Sequence, residues 1–330
     1  MNQFDYDVDD FMDYCKSQQL RPKTMQSYEQ ALRMFGRYLE DAHNITDASE
    51  TKEFHIREYI KYLETRGKYT VLSDEKSRQS NNPHNRTDLG NPITKTTINN
   101  ALRNIKVFYN YRYNNHLMKV NPVARVKKLA NSRKPLEFIS DEDFLRLIKS
   151  FDNSKFHEFR DSIICQLLLD TGMRISETLL IKLDDVDLLR KAIFLPADNT
   201  KGVKDRTVFF SLEMAKLLKR WIKFKDRYRE SEYLLCTNKG NPLKTNNFEK
   251  NFKEYTTRVG LKNIHPHVLR NNFAKRFLMQ GGSIFVLSKI LGHSSVTVTE
   301  KAYLDIDSEE LRESYIPYSP LEQIKKNRHK

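Results

Sequence analysis

Apolar and polar positions recur along most of this chain with the period of a helix. From Lys23 to Leu39, apolar or aromatic side chains fall at Met25, Tyr28, Leu32, Phe35 and Leu39. Gaps of three and four put them on one face, which predicts an amphipathic helix with Thr24 as its cap. A second helix is expected from about Glu53 to Leu63, on Ile56, Tyr59, Ile60 and Leu63. A third starts near Thr96 and carries Ile98, Leu102, Ile105, Phe108, Tyr109 and Tyr111. Between the last two, Tyr69 to Pro92 is polar, contains proline and has no period. It reads as a mobile insertion. Asn121-Pro122 breaks the helical run, and Ala124 to Lys134 is rich in Lys and Arg, as a linker would be.

The pattern changes beyond that linker. Ser140-Asp141-Glu142-Asp143 reads as the capped start of a helix carrying Phe144, Leu145 and Leu147. Phe159 to Leu169 reads as another helix, stopped by Gly172. Ala192-Ile193-Phe194-Leu195 and Thr207-Val208-Phe209-Phe210 are β-like runs, and Asn199-Thr200-Lys201-Gly202-Val203-Lys204 between them is a turn loaded with cations. Helices resume from Leu212. The expected fold is mainly α with a small β-sheet. Helices fill 1–125, with the polar insertion at 69–92 and a basic linker at 126–138. A mixed α/β domain covers 139–306 and a C-terminal tail 307–330.

Composition narrows the class. At about 150 residues per domain, 330 residues make roughly two domains. Hydrophobic residues are 38% and charged residues 30%, a balance that excludes a disordered chain. Lys plus Arg is 57 and Asp plus Glu is 43, a net charge of +14. That surplus points to a polyanionic partner, with nucleic acid foremost. Cys15, Cys165 and Cys236 are odd in number and far apart, forming neither a disulfide framework nor a metal-ligand cluster. A reducing cytoplasm suits them. The N-terminus lacks the basic and apolar regions of a signal peptide. The most apolar stretch, Ile163 to Leu169, is too short to span a bilayer, so no membrane role is expected.

Four places could carry chemistry. Arg174, in Thr171-Gly172-Met173-Arg174-Ile175-Ser176-Glu177, follows a glycine break at a helix start, where a fixed cation beside free N–H groups suits a phosphate. The plainer reading is a surface arginine paired with Glu177. His267 and Arg270 are three apart, hence on one helical face, and combine a proton carrier with an anion holder. Leu291-Gly292-His293-Ser294-Ser295 leads through Thr297 and Thr299 to Tyr303, one of 16 tyrosines. Lys201 on its turn would ordinarily be a solvated lysine.

Taken together and in this order, these residues resemble the tyrosine recombinase (phage integrase) family. Thr-Gly-Met-Arg-Ile-Ser-Glu, His-Val-Leu-Arg and Leu-Gly-His-Ser-Ser-Val stand near its consensus. The Thr24/Tyr28/Leu32/Phe35 helix and the Asn121-Pro122-Val123 step look like its helical, SAM-like core-binding domain. The resemblance implies that the two domains clamp double-stranded DNA carrying specific recombination sites, with a homo-oligomer, a tetramer in the synaptic complex, acting on two sites. It implies that Arg174, Arg270 and His293 grip the scissile phosphate. Lys201 would be the general acid for the leaving 5′-oxygen, His267 would assist proton transfer, and Tyr303 would be the nucleophile of a 3′-phosphotyrosyl intermediate. Phosphoryl transfer needs positive charge on the equatorial oxygens and an in-line nucleophile, and guanidiniums supply the charge without a metal. No cofactor is expected, and the chain has no Gly-x-x-x-x-Gly-Lys-[Ser/Thr] loop for ATP.

Two positions depart from the family pattern. Asn271 stands where a histidine is usual, outside the reacting set. Tyr303 lies ten residues past His293, whereas the commoner spacing of nine would fall on Ala302, which cannot react. A turn between two short helices, one bearing His293 and one Tyr303, would absorb the extra residue. The tail, with Leu311, Tyr315 and Ile316, would dock on its own domain or on a neighbouring subunit. Two other functions fit the same fold: a type IB topoisomerase-like relaxing enzyme, and a DNA-binding regulator without catalysis. No extra arm-binding domain is recognisable ahead of the first helix.

Overall fold

The computed structural model describes residues 2–71, 86–131, 137–200, 204–293, 295–303 and 315, the side chains of 301–303 excepted. They form two compact units, Met1–Arg133 and Lys134–Lys330.

In the first unit a helix precedes those expected. In α1 (Gln3–Ser17), Phe4, Val8, Phe11 and Cys15 are buried at gaps of four, three and four. The Asn2 side chain accepts from Asp5 N, and the Asp5 carboxylate accepts from Asn2 N, a reciprocal cap. α2 (Pro22–His43) starts one residue before the predicted span, with Pro22 at its first position and Arg21 as a cap residue whose side chain does not cap the helix. Thr24 therefore lies inside the helix and does not cap it; proline's fixed φ starts the helix instead. α3 (Glu53–Thr65) and α4 (Lys95–Asn114) complete the bundle, the latter capped by Thr94. The core is aromatic: Phe4, Phe11, Phe35, Tyr59, Phe108 and Tyr109 pack at edge-to-face or tilted angles. Gly36 makes this possible, since a Cβ there would lie 2.6 Å from the Phe4 ring. Arg112 and Asp7 pair at 2.7 Å inside this core.

The insertion's two flanks join. Gly67 and Pro92 form an antiparallel bridge, Lys68 N donates to Asn91 O and Gly90 N donates to Lys68 O. The Arg86 guanidinium lies over the Tyr69 ring, 3.8 Å from its centroid. The ends of the insertion are thus bonded to one another at residues 67–70 and 88–92; 72–85 lie outside the described residues.

The second unit starts with α5 (Asp141–Lys149), where Ser140 Oγ accepts from Asp143 N. α6 (Phe156–Thr171) is buried on nearly every face and forms the centre of the unit. It ends at Gly172, whose φ of +65° is the left-handed conformation of a helix C-terminus. A one-turn helix α7 (Ile175–Thr178) follows. Strands β1 (Val186–Asp187), β2 (Ala192–Leu195) and β3 (Arg206–Phe209) make an antiparallel sheet in chain order, with Ile193 opposite Val208 and Leu195 opposite Arg206. Ile193, Leu195 and Val208 enter the core while Phe194 and Phe209 face solvent. α8 (Leu212–Asp226) brings Trp221 into that core, its indole N–H on the Leu234 carbonyl at 2.8 Å. α9 (Thr245–Arg258), α10 (Pro266–Met279), α11 (Ile284–Leu291) and α12 (Val296–Tyr303) follow, with α10 packed along α6. Among the described residues, no helix is long and apolar enough to cross a membrane.

Candidate active site

Three chain breaks converge in the second unit. The first is the C-terminus of α6, where Gly172 turns the chain so that Arg174 caps α7. Gly172 also sits under Phe273 of α10: a Cβ at 172 would lie 2.3 Å from that ring. Arg174 Nη1 donates to Glu177 Oε1 at 2.8 Å, and its backbone N–H donates to Glu177 Oε2 at 3.1 Å. The surface pairing with Glu177 is thus only half right, because Glu177 is fully buried. Burial by itself would raise this carboxyl. The guanidiniums of Arg206 and Arg174 outweigh it and hold the group below the usual carboxylate range.

The second break is the start of α10. Pro266 takes its first position, so His267 and Arg270 lie one turn apart, with Arg270 reaching the ends of α6 and α11. Arg270 is 5% exposed. Its Nη1 donates to the Gly172 carbonyl at 2.7 Å and its Nη2 to the Leu291 carbonyl at 2.9 Å, so it ties the ends of α6 and α11 together. His267 stands exposed beside a cavity of about 760 Å³ lined by Glu249, Phe252, Lys253 and His265. Desolvation by the surrounding protein, then the positive Arg270 and the neighbouring His265, lower its basicity. Asn271, beside Arg270, is half-buried, and Asn272 uses its amide inside the fold, on Ile139 N and Val268 O.

The third break is Gly292, with φ of +64°, which ends α11 and swings His293 back towards Arg270. Arg270 Nη2 approaches His293 Nε2 at 3.0 Å, and His293 Nδ1 lies 2.7 Å from Thr299 Oγ1. A guanidinium only donates, so Nε2 accepts and the ring proton sits on Nδ1, donating to Thr299. Burial, then Arg270, Arg174 and Arg206, depress His293 to about 4. The ring is neutral at physiological pH. Arg174 Nη2 completes the circle with a 3.4 Å bond to the Gly292 carbonyl.

His293 therefore lies in the link between α11 and α12, not on a short helix of its own: Gly292 in the left-handed conformation ends α11 one residue earlier. Tyr303 is the last residue of α12. Its backbone is four residues beyond Thr299, hence on the same face of that helix. Lys201 lies outside the described residues, as do 304–314 and 316–330, where the tail docking was expected. The structure thus brings Arg174, Arg270 and His293 together and places His267 one turn from Arg270.

Sequence reasoning gave no role to Arg206, which lies on β3 with Nη2 2.5 Å from Glu177 Oε2. The signal was available in the strand's alternation: Arg206 shares a row with the buried Val208. Thr299, fully buried and bonded to His293, passed as one of several turn residues. Among the described residues, no group of three or more His, Cys, Asp or Glu side chains is placed to hold a metal ion.

Residues 137–310 match the model of the phage integrase family, which covers more than half the chain. The chain belongs to the phage integrase family. Residues 8–80 match a second model, the phage integrase N-terminal SAM-like domain. The tyrosine recombinase XerC of Thermodesulfovibrio yellowstonii is 28% identical over 236 residues, 69% of this chain and 77% of that protein. XerC of Staphylococcus saprophyticus is 25% identical over 305 residues, 92% and 93% of the two chains. Two solved structures share the fold. The Tn1549 transposon integrase in complex with a circular intermediate DNA has a TM-score of 0.69 at 17% identity, over 94% of this chain and 98% of that one. A lambda integrase tetramer bound to a Holliday junction has a TM-score of 0.66 at 13% identity, over 91% and 77%. The protein is a tyrosine recombinase, an enzyme of site-specific recombination that breaks and rejoins DNA strands.

Proposed function

We propose that Arg174, Arg270 and His293 hold the scissile phosphate of double-stranded DNA, and that Tyr303 attacks it to form a 3′-phosphotyrosyl intermediate. The observation that carries this reading is the convergence of the two arginines on His293, with Thr299 bonding that histidine to the helix that ends in Tyr303. The guanidiniums are fixed by carbonyls and a buried carboxylate, so they meet developing charge without reorganising. An in-line attack needs a nucleophile held at a set distance, which a helix seated through Thr299 provides. As it stands, His293 Nε2 accepts a bond from Arg270 and has no proton to give a phosphate oxygen. A phosphate entering between them would favour the protonated ring, turning His293 into a third donor. Lys201, five positions before Arg206 in the sequence, supplies the proton to the leaving 5′-oxygen, and His267 assists.

The partners are duplexes with specific recombination sites and further copies of this chain, assembled as tetramers in the cytoplasm. The biological task is integration, excision or transposition of a mobile element. The buried state of all three cysteines suits a reducing compartment. The reading is tested by incubating the protein with a nicked duplex carrying its own recombination site, so that the cut strand diffuses away. A covalent protein–DNA adduct is expected, and its absence on every candidate site would overturn the reading. For Lys201→Ala, slow cleavage should be restored by a 5′-bridging phosphorothioate, whose leaving group needs no proton.

A further inference from the structure

Arg206 joins two parts of this site, the Glu177 carboxylate and the turn that carries His293. It follows Lys201 by five positions, at the start of β3. Thr207 and Phe209 face solvent, so the row shared by Arg206 and Val208 is turned inward. Its side chain is only 10% exposed. Nη2 and Nη1 donate to the two oxygens of Glu177 at 2.5 and 3.3 Å, and Nε donates to the Ile290 carbonyl at 3.0 Å. Gly292 rests directly against it: a Cβ there would lie 2.9 Å from Arg206 Nη1. Glu177 is the carboxylate that orients Arg174. Ile290 and Gly292 belong to the turn that delivers His293.

We propose that Arg206 is a positioning residue for strand cleavage, acting through Glu177 and the 290–292 turn to set Arg174 and His293 against one another. Its hydrogen bonds go to Glu177 and Ile290, and it bears on His293 through them and through its charge. It fixes the distance between two groups that must reach the same phosphate. A planar guanidinium is needed for this, because it bonds both carboxylate oxygens and a carbonyl at once, whereas an ammonium acts as a point charge. The inference rests on the reading that Arg174 and His293 grip the phosphate.

The test measures single-turnover adduct formation on the nicked duplex, alongside DNA affinity, for Arg206→Met, Arg206→Lys, Glu177→Gln and the Arg206→Met/Glu177→Gln pair. A displacement of about 1 Å at reacting groups costs up to about a hundredfold. Arg206→Met is therefore expected to cleave at least about tenfold more slowly, with DNA affinity within about twofold of wild type. Acting through Glu177, it should add less than about threefold to the loss already caused by Glu177→Gln. A merely structural role would not produce that non-additivity at a temperature where all variants are folded. Arg206→Met at the wild-type rate, or losses that multiply in full, would overturn this inference alone. Wild-type protein that forms no adduct would overturn the phosphate-gripping reading, and this inference with it. Should Arg206→Met not fold, Arg206→Lys decides: a rate clearly below wild type supports the proposal, and the wild-type rate overturns it.

Discussion

Two clusters of buried charge lie in the second unit, and they are built on opposite principles. Around Asp161 the charges balance. Arg160 donates to one Asp161 oxygen from Nε and Nη2, both at 2.8 Å, while Asn251 and Tyr255 donate to the other at 3.1 Å. Arg160 also caps the Cys236 carbonyl. One cation meets one anion, and neutral donors finish the shell. Around Glu177, among the described residues, cations outnumber acids. The guanidiniums of Arg174, Arg206 and Arg270 converge on one carboxylate and one neutral histidine. Carbonyls of Gly172, Ile290, Leu291 and Gly292 take up part of the donor capacity, but carbonyls carry no net charge. Burying positive charge costs free energy, which the bonds to these carbonyls and to Glu177 offset only in part. The surplus makes sense when an anion completes it. The balanced cluster serves the fold; the one around Glu177 is the site proposed above for the scissile phosphate.

The contrast can be broken at its strongest point first. Arg174→Ala and Arg270→Ala remove preorganised donors, and each should lower the cleavage rate by about a hundredfold to a thousandfold. DNA affinity should stay close to wild type, because it is spread over many phosphate contacts. Equal losses in binding and cleavage would show that these arginines act only as part of a general basic surface.

Asp161→Ala should do the reverse. It strands Arg160 and removes the acceptor of Tyr255 and Asn251, and breaking such a pair costs about 3–5 kcal/mol of stability. The thermal midpoint should fall steeply, while cleavage per folded molecule at low temperature stays near wild type. A specific loss of cleavage with an unchanged midpoint would erase the distinction between the two clusters.

A subtler difference lies in protonation. In the free protein the His293 ring should titrate with a midpoint near 4 by NMR, and a phosphate-bearing duplex should move it upward. The free unfolded chain takes up this proton near 6.5, so stability from keeping the ring neutral is complete above about pH 6.5 and is lost as pH falls towards 4. A midpoint near 6.5 without DNA would mean that the surrounding cations are not felt. The smallest effect belongs to the surface. Lys127 and Lys128 are exposed next to the boundary of the first unit. Replacing either with Gln should weaken binding to all sequences alike and reduce the slope of log affinity against log salt by about one.

The two clusters also differ in how far the sequence disclosed them. Arg174, Arg270 and His293 stand in strings near a family consensus and could be named beforehand. Arg206 was legible only in part: strand alternation puts it in the row of Val208 but does not name its partners, and Glu177 looked like a surface partner although it is fully buried between Arg174 and Arg206. Helix periodicity located α2, α3 and α4. α1 carried the same signal in Phe4, Val8, Phe11 and Cys15, masked by the acidic residues between them. Helix starts were less legible, since Thr24 and Pro22 offered competing ones and proline's fixed φ decided between them.

The central claim is that the positive cluster directs one tyrosine at the end of α12 onto DNA. The most direct measurement is to trap the adduct on a nicked duplex, digest it, and identify by mass spectrometry the residue that bears the nucleotide. The link is expected at Tyr303, and Tyr303→Phe should bind DNA as wild type does but form no adduct, since only the nucleophilic oxygen is lost. A nucleotide on Tyr315 or Tyr318, or an adduct that survives Tyr303→Phe, would contradict it.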